Sequence, residues 1–202
     1  MYSLEELKEA LGNKLDIYVF DQLMKNRYRP KDVILDAGCG HGRNIHWFAQ
    51  QKMAVYGIDT AEDRIRVVRD KYADLADNFT VAGLEEIPFK TATFNHVICS
   101  AVLHFAKSEA QFKQMFSELV RVLKPKGTLF IRMTSDIGIA DKVVAKGDGV
   151  YFLPDKTHRF LLTRNVLAAR MDFHHLSFLE PLKTTNVNDL RCMSTLVLIK
   201  ER

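Results

Sequence analysis

The chain has 202 residues, 47% hydrophobic and 27% charged, with a formal net charge of +4 at pH 7. That length suits one domain with a sizeable core, and the composition is that of a globular chain. It offers no apolar stretch long enough to span a bilayer, and its basic residues are interspersed with acidic ones, without the dense patch that a polyanion surface requires.

The first residues, MYSLEELKEAL, are amphipathic and acidic, unlike a secretory leader. Ser3 and Glu6 have capping-box spacing, and Leu4, Leu7 and Leu11 share a face. This predicts a short helix ended by Gly12. A second helix is expected over roughly Lys14 to Asn26, presenting Ile17, Phe20 and Met24, before RYRPKD breaks the pattern. DVILDAG reads as a buried strand, Asn44 to Gln51 as a helix and MAVYGID as a second strand. Thr60 is placed to cap a helix that carries Ile65, Val68 and Tyr72 on one side. NFTVAG and FNHVICSAVL read as the third and fourth strands. Ser108 and Gln111 repeat the capping-box spacing, and the apolar residues from Phe112 to Leu123 follow at helical intervals. KPKG stops that helix and TLFIRMT is a fifth strand. Ser135 to His158 is a looser stretch, and a helix begins near Thr163. FHHLSFLEP and CMSTLVLIK are strand-like and joined by a polar link, which predicts an antiparallel hairpin. Strands alternating with amphipathic helices imply right-handed crossovers and a mostly parallel sheet.

The densest signal is ILDAGCGHGRN, residues 34–44, with glycines at 38, 40 and 42 behind Asp36. Ligands of open α/β sheets bind beyond the carboxyl ends of the strands, and glycine there lets the main chain approach closely. The dinucleotide register G-x-G-x-x-G fails, because Arg43 stands where the third glycine is needed, and no Gly-Lys-Ser/Thr is present. The pattern is D-x-G-x-G-x-G, which resembles motif I of the class I S-adenosylmethionine-dependent methyltransferases. Asp59 ends the second strand, LEEIPFKTATFNHVICSAVLHF resembles the family's stretch past the adenine, and LVRVLKPKGTLFI its next helix, turn and strand. The likeness runs from about Val33 to Arg202. The run LDAGCGHGRN is also similar to the tellurite-resistance and ubiquinone-biosynthesis types.

The resemblance implies a seven-stranded, mostly parallel, doubly wound Rossmann-like sheet with an antiparallel C-terminal hairpin and N-terminal lid helices. It implies one methyltransferase domain: a lid over 1–29, a cofactor-binding core over 30–134, a substrate-covering insertion over 135–163, and a final helix and hairpin over 164–202. S-adenosyl-L-methionine is the implied cofactor, with Asp36, Gly38, Cys39, Gly40, Arg43, Asp59, Thr60, Leu84, Glu85 and Ser100 lining its site. Asp59 would take the ribose hydroxyls, and Gly42 would serve helix–strand packing. At Gly83 relatives often carry an aspartate for the adenine amino group. That contact is missing here or supplied by Glu85, with the Leu84 amide still open to the ring. Arg43 sits near a helix N-terminus, where a cation is disfavoured by roughly 0.3–1 kcal/mol. Either the cofactor carboxylate or a nearby acid would offset this.

His104 is the candidate catalytic base, since a free imidazole titrates near neutrality; a histidine bonded in the pocket wall is the alternative. His174 and His175, read as strand neighbours, point to opposite faces and cannot share a metal, so no metal site is expected. His158 and Arg159 either meet an anionic substrate or are solvated. Tyr2 and Tyr18 are lid contacts or packing. Three dispersed cysteines, Cys39, Cys99 and Cys192, predict reduced thiols and a cytoplasmic location. The expected partner is a small-molecule methyl acceptor, with neither membrane nor nucleic acid, in a monomer or homodimer. A non-catalytic cofactor-binding module and an RNA-directed methyltransferase are the alternatives.

Overall fold

The computed structural model describes residues 3–202, so the expectation for Tyr2 lies outside the described residues. Five strands form the parallel core: β1 (Val33–Ala37), β2 (Ala54–Asp59), β3 (Phe79–Val81), β4 (Phe94–Ser100) and β5 (Leu123–Ser135). Three more follow at the carboxyl end of the chain: β9 (Leu176–Phe178), β10 (Lys183–Val187) and β11 (Arg191–Lys200). The sheet order is β10-β11-β5-β4-β1-β2-β3, with β9 also paired to β11. From β1 the chain winds outward through β2 and β3, then returns to lay β4 on the other flank of β1. Connections therefore diverge between β1 and β4, which opens a crevice at their carboxyl ends.

Both faces of the sheet are covered, which is why these strands read as continuous apolar runs. Successive residues of one strand pack into different cores. Leu35, Val97 and Ile131 meet α5 (Glu109–Val122) through Phe112, Phe116 and Leu119. Ile34, Ile98 and Phe130 meet Phe48 of α3 (His46–Gln50) and Ile65 and Val68 of α4 (Glu62–Lys71). Each such buried side chain contributes roughly 1.5–3 kcal/mol of transfer free energy.

The N-terminal segment forms α1 (Leu4–Leu11) and α2 (Ile17–Met24). Ser3 and Glu6 make the reciprocal capping bonds, and Gly12 ends α1 with φ of 79°. Helix α1 buries none of its residues and rests on α3, where His46 Nε2 bonds the Glu9 carbonyl at 2.7 Å. The face expected of α2 is rotated: Ile17 and Met24 are 65% and 71% exposed, while Val19 and Gln22 are buried. Asp16 caps this helix through the Tyr18 amide at 3.0 Å.

Four expectations need correction. Thr60 does not cap α4; Ala61 holds that position without a side-chain bond, and the Asp59 carboxylate accepts the Ala61 amide instead. Residues 135–158 are not merely loose, because β6 (Val144–Gly147), β7 (Val150–Phe152) and β8 (His158–Phe160) form a separate antiparallel sheet. The polar link after β9 contains β10, the true hairpin partner of β11. His174 and His175 are not in a strand: they follow α6 (Arg164–Phe173), and His175 turns the chain with φ of 52°. Cys39, Cys99 and Cys192 are free and buried, and among the described residues no helix is long and apolar enough to cross a membrane.

Candidate functional site

The glycine turn follows β1 and is pinned from below. The amides of Gly38 and Cys39 both donate to the Ile58 carbonyl, at 2.8 and 2.9 Å. Gly38, Gly40 and Gly42 all have positive φ, of 83°, 55° and 73°. A Cβ on Gly38 would lie 2.3 Å from Val102 Cγ2, whereas one on Gly40 would meet nothing within 4 Å. A Cβ on Gly42 would press on Val68 and Tyr72, so that glycine serves packing against α4. Gly40 is thus the open floor of a cleft of about 580 Å³, within the usual range for small-molecule sites of roughly 300–1,000 Å³.

Nine of the ten residues expected at the cofactor line this one cleft: Gly38, Cys39, Gly40, Arg43, Asp59, Thr60, Leu84, Glu85 and Ser100. Asp36, 1% exposed, lies beneath the turn and outside the lining. Among the described residues neither of its carboxylate oxygens meets hydrogen-bond geometry, and burial pushes its carboxyl up to about 7, against the pull of Arg43 and of the nearby Asn44 side chain. Burial likewise raises the Cys39 thiol, leaving it uncharged.

Asp59 is held in a fixed orientation at the mouth of the cleft. Its Oδ2 accepts from the Gly40 amide at 2.9 Å, its Oδ1 accepts from the Ala61 amide at 3.0 Å, and Arg64 Nη1 lies at 3.6 Å. Each carboxylate oxygen has two lone pairs, so acceptor capacity remains. The Glu85 carboxylate folds over Gly83, with Oε2 2.7 Å from where a Cβ there would stand, and accepts from Gln111.

At the end of β4, Ser100 donates to Asp16 Oδ2 at 2.7 Å and accepts from Arg43 Nη2 at 2.9 Å. Arg43 also reaches Asp16 at 3.3 Å, so a nearby acid does offset its charge while the side chain still lines the cleft. His104 is buried and does not line the cleft; its neighbour Phe105 does. Burial, then the charges of Arg159, Arg132 and Arg191, lower its pKa to about 4, so the ring is neutral at pH 7.

Asp16, Arg64, Phe105, Gln111 and Met115 belong to the site without having been singled out for it. Gln111 and Met115 lie on the inner turn of α5, a face already explained by capping and packing. Asp16 carries no local signal, being 84 residues from Ser100. Among the described residues no group of three or more histidine, cysteine, aspartate or glutamate side chains is arranged to hold a metal ion.

A parallel sheet with its switch point at a glycine turn, facing a strand-end carboxylate, defines the class I methyltransferase fold. The methyltransferase domain family matches residues 35–131. A tRNA (carboxymethyluridine(34)-5-O)-methyltransferase of Arabidopsis thaliana is 33% identical over 99 residues, covering 49% of this chain and 23% of that protein. The uncharacterized methyltransferase YodH of Bacillus subtilis is 31% identical over 109 residues, covering 53% and 45%. A crystal structure of a SAM-dependent methyltransferase from Methanosarcina mazei superposes with a TM-score of 0.71 at 18% identity, covering 88% of this chain and 96% of that one. Just under half of this chain thus matches a methyltransferase domain family, its fold is that of the class I S-adenosylmethionine-dependent methyltransferases, and the cleft residues fit that cofactor. It spans less than half the length of either curated relative.

Proposed function

We propose that this chain binds S-adenosylmethionine against the glycine turn and directs its methyl group, by in-line displacement, onto a small-molecule acceptor. When bound, that cofactor supplies a methyl activated by a sulfonium. The protein's work is then mainly positioning, which can lower a barrier by roughly 7–11 kcal/mol. The observation that carries the reading is the pairing of the open floor at Gly40 with the preset Asp59 carboxylate in one cleft. Asp59 would grip both ribose hydroxyls. The main chain from Gly38 to Gly40 would lie against the amino-acid portion, and Leu84 and Glu85 would face the adenine.

A small acceptor is supported by the roof. Asp16, from the N-terminal segment, ties Ser100 and Arg43 together at the end of β4, so the chain's own lid covers this side of the cleft and helps to exclude water. His104, neutral at pH 7, can accept a proton only as a weak base, which suits a transfer driven by orientation.

Isothermal titration with S-adenosylmethionine tests the first step. We expect micromolar binding, weakened about tenfold or more by Asp59→Ala, in keeping with the loss of hydrogen bonds to a charged group. No binding to the native chain would remove the proposal. Transfer to RNA is the second reading, favoured by the Arabidopsis relative, which is by name a tRNA methyltransferase. Tight, steeply salt-dependent tRNA binding would decide for it.

A further inference from the structure

Beyond Ser100 lies a cluster of guanidinium groups that cofactor binding does not use. Arg132 stands beside Ser100 because the two are register partners on β4 and β5. Its Nη1 is 3.6 Å from Asp16 Oδ2, its Nε is buried without a partner, and its guanidinium lies 5.4 Å from the centre of the Tyr18 ring. Arg159, on β8, covers the Phe105 ring at 4.9 Å. Phe105 lines the cleft and is 57% exposed. Among the described residues Arg159 meets no carboxylate; its hydrogen bond goes to the adjacent His158 carbonyl at 2.8 Å. Arg191, at the start of β11, has Asp155 at 3.4 Å.

His104 lies in a short turn, Leu103–Phe105, that packs against β5 and β8, the strands that carry Arg132 and Arg159. It is buried, its ring is 4.5 Å from that of Phe105, and its Nδ1 has no partner. Burial, and after it the charges of Arg159, Arg132 and Arg191, depress the basicity of this ring. A buried polar atom left unsatisfied costs about 1–3 kcal/mol. Counting Arg43, three guanidiniums share the two carboxylates of Asp16 and Asp155, and Arg159 pairs with neither, so positive charge is in excess in this cluster. Gathered like charges favour a counter-charge, and the planar guanidinium fork matches a carboxylate or phosphate.

We infer, taking the adjoining cleft as the methyl-donor site, that the acceptor is a small organic anion. Its carboxylate or phosphate group is held between Arg132 and Arg159, and its apolar body lies on the Phe105 ring. A neutral acceptor of the same shape leaves Arg159 without a counter-charge and Arg132 sharing Asp16 with Arg43.

Isothermal titration with benzoate, phenyl phosphate and phenol, each with and without saturating S-adenosylhomocysteine, tests this. At least one anion should bind about tenfold or more tightly than phenol, and the comparison of the two anions separates carboxylate from phosphate recognition. Arg159→Gln should abolish that preference while leaving the melting temperature and the S-adenosylhomocysteine affinity nearly unchanged. Arg132→Lys, which keeps the charge but loses the fork, should weaken anion binding severalfold. No binding of either anion, equal binding of phenol, or a preference that survives Arg159→Gln overturns the inference. An Arg159-dependent preference in a protein that ignores S-adenosylhomocysteine would uphold anion recognition and overturn the methyl-transfer reading instead.

Discussion

Gly38 and Gly40 are two residues apart in the same turn, yet substitution should separate their roles. At Gly38 an alanine methyl would collide with Val102, at a φ of 83° that side chains rarely adopt. Gly38→Ala should therefore lower both the melting temperature and cofactor affinity. At Gly40 the space beyond the backbone is open and φ is 55°, a left-handed value that alanine reaches for roughly 1–2 kcal/mol. Gly40→Ala should fold and melt only several degrees below the native chain, less than the drop in Gly38→Ala, but lose at least about tenfold in S-adenosylmethionine affinity, since its methyl would enter the cleft. Paired thermal melts and titrations read this contrast, and full affinity in Gly40→Ala would contradict it. At this scale the site was largely legible: the glycine spacing located the turn, and the family resemblance it carries, together with the strand-end acid, implied nine residues that line the cleft. Asp36 belongs to the same motif, but burial beneath the turn kept it out of the lining.

Among the elements, α5 was the most readable, because its inner face repeats apolar residues at helical intervals and its start is capped. Ser108 Oγ accepts from the Gln111 amide at 3.0 Å, whereas the Gln111 side chain reaches back to the Lys107 amide, one residue short of a closed box. Ser108→Ala should cost about 0.5–2 kcal/mol. For a chain of this length that lowers the melting temperature by roughly 2–4 °C per kcal/mol. A calorimetric scan that shows no shift would mean the helix is held by packing alone. The elements that escaped the pattern share a physical cause. Strand β10 is an edge strand of mixed burial, and β6 is exposed along its whole length, so neither carries the apolar alternation that marks a strand facing a core. The rotated face of α2 has a related origin. Val19 and Leu23 pack on the sheet side, and the apolar residues left outside gave an equally good helical stripe.

In the whole molecule, the least solvated charge is one the fold itself enclosed. Burial holds Asp36 protonated up to about pH 7, while an unfolded chain would release that proton near its ordinary value of 3.8. Between these two values the folded state binds the extra proton. The stability this group contributes is therefore full below about pH 4 and is lost as pH rises through about 7. Asp36→Asn removes the titration, so its melting temperature relative to the native chain should rise between pH 5 and pH 8, with other titrating groups common to both. A difference that does not change with pH would refute the assignment. The alternation of strands and helices from β1 to β5, with the parallel crossovers it implies, and the glycine turn were determined by the sequence, because periodicity, capping and glycine spacing are local properties of the chain; the ligand class followed from the turn's likeness to a family motif. The triad of Asp16, Ser100 and Arg43, the bond between Tyr18 and Thr185 and the guanidinium cluster around His104 were decided by tertiary structure alone. Each joins residues far apart along the chain, and a contact made by folding distant segments together leaves no periodic trace in either one.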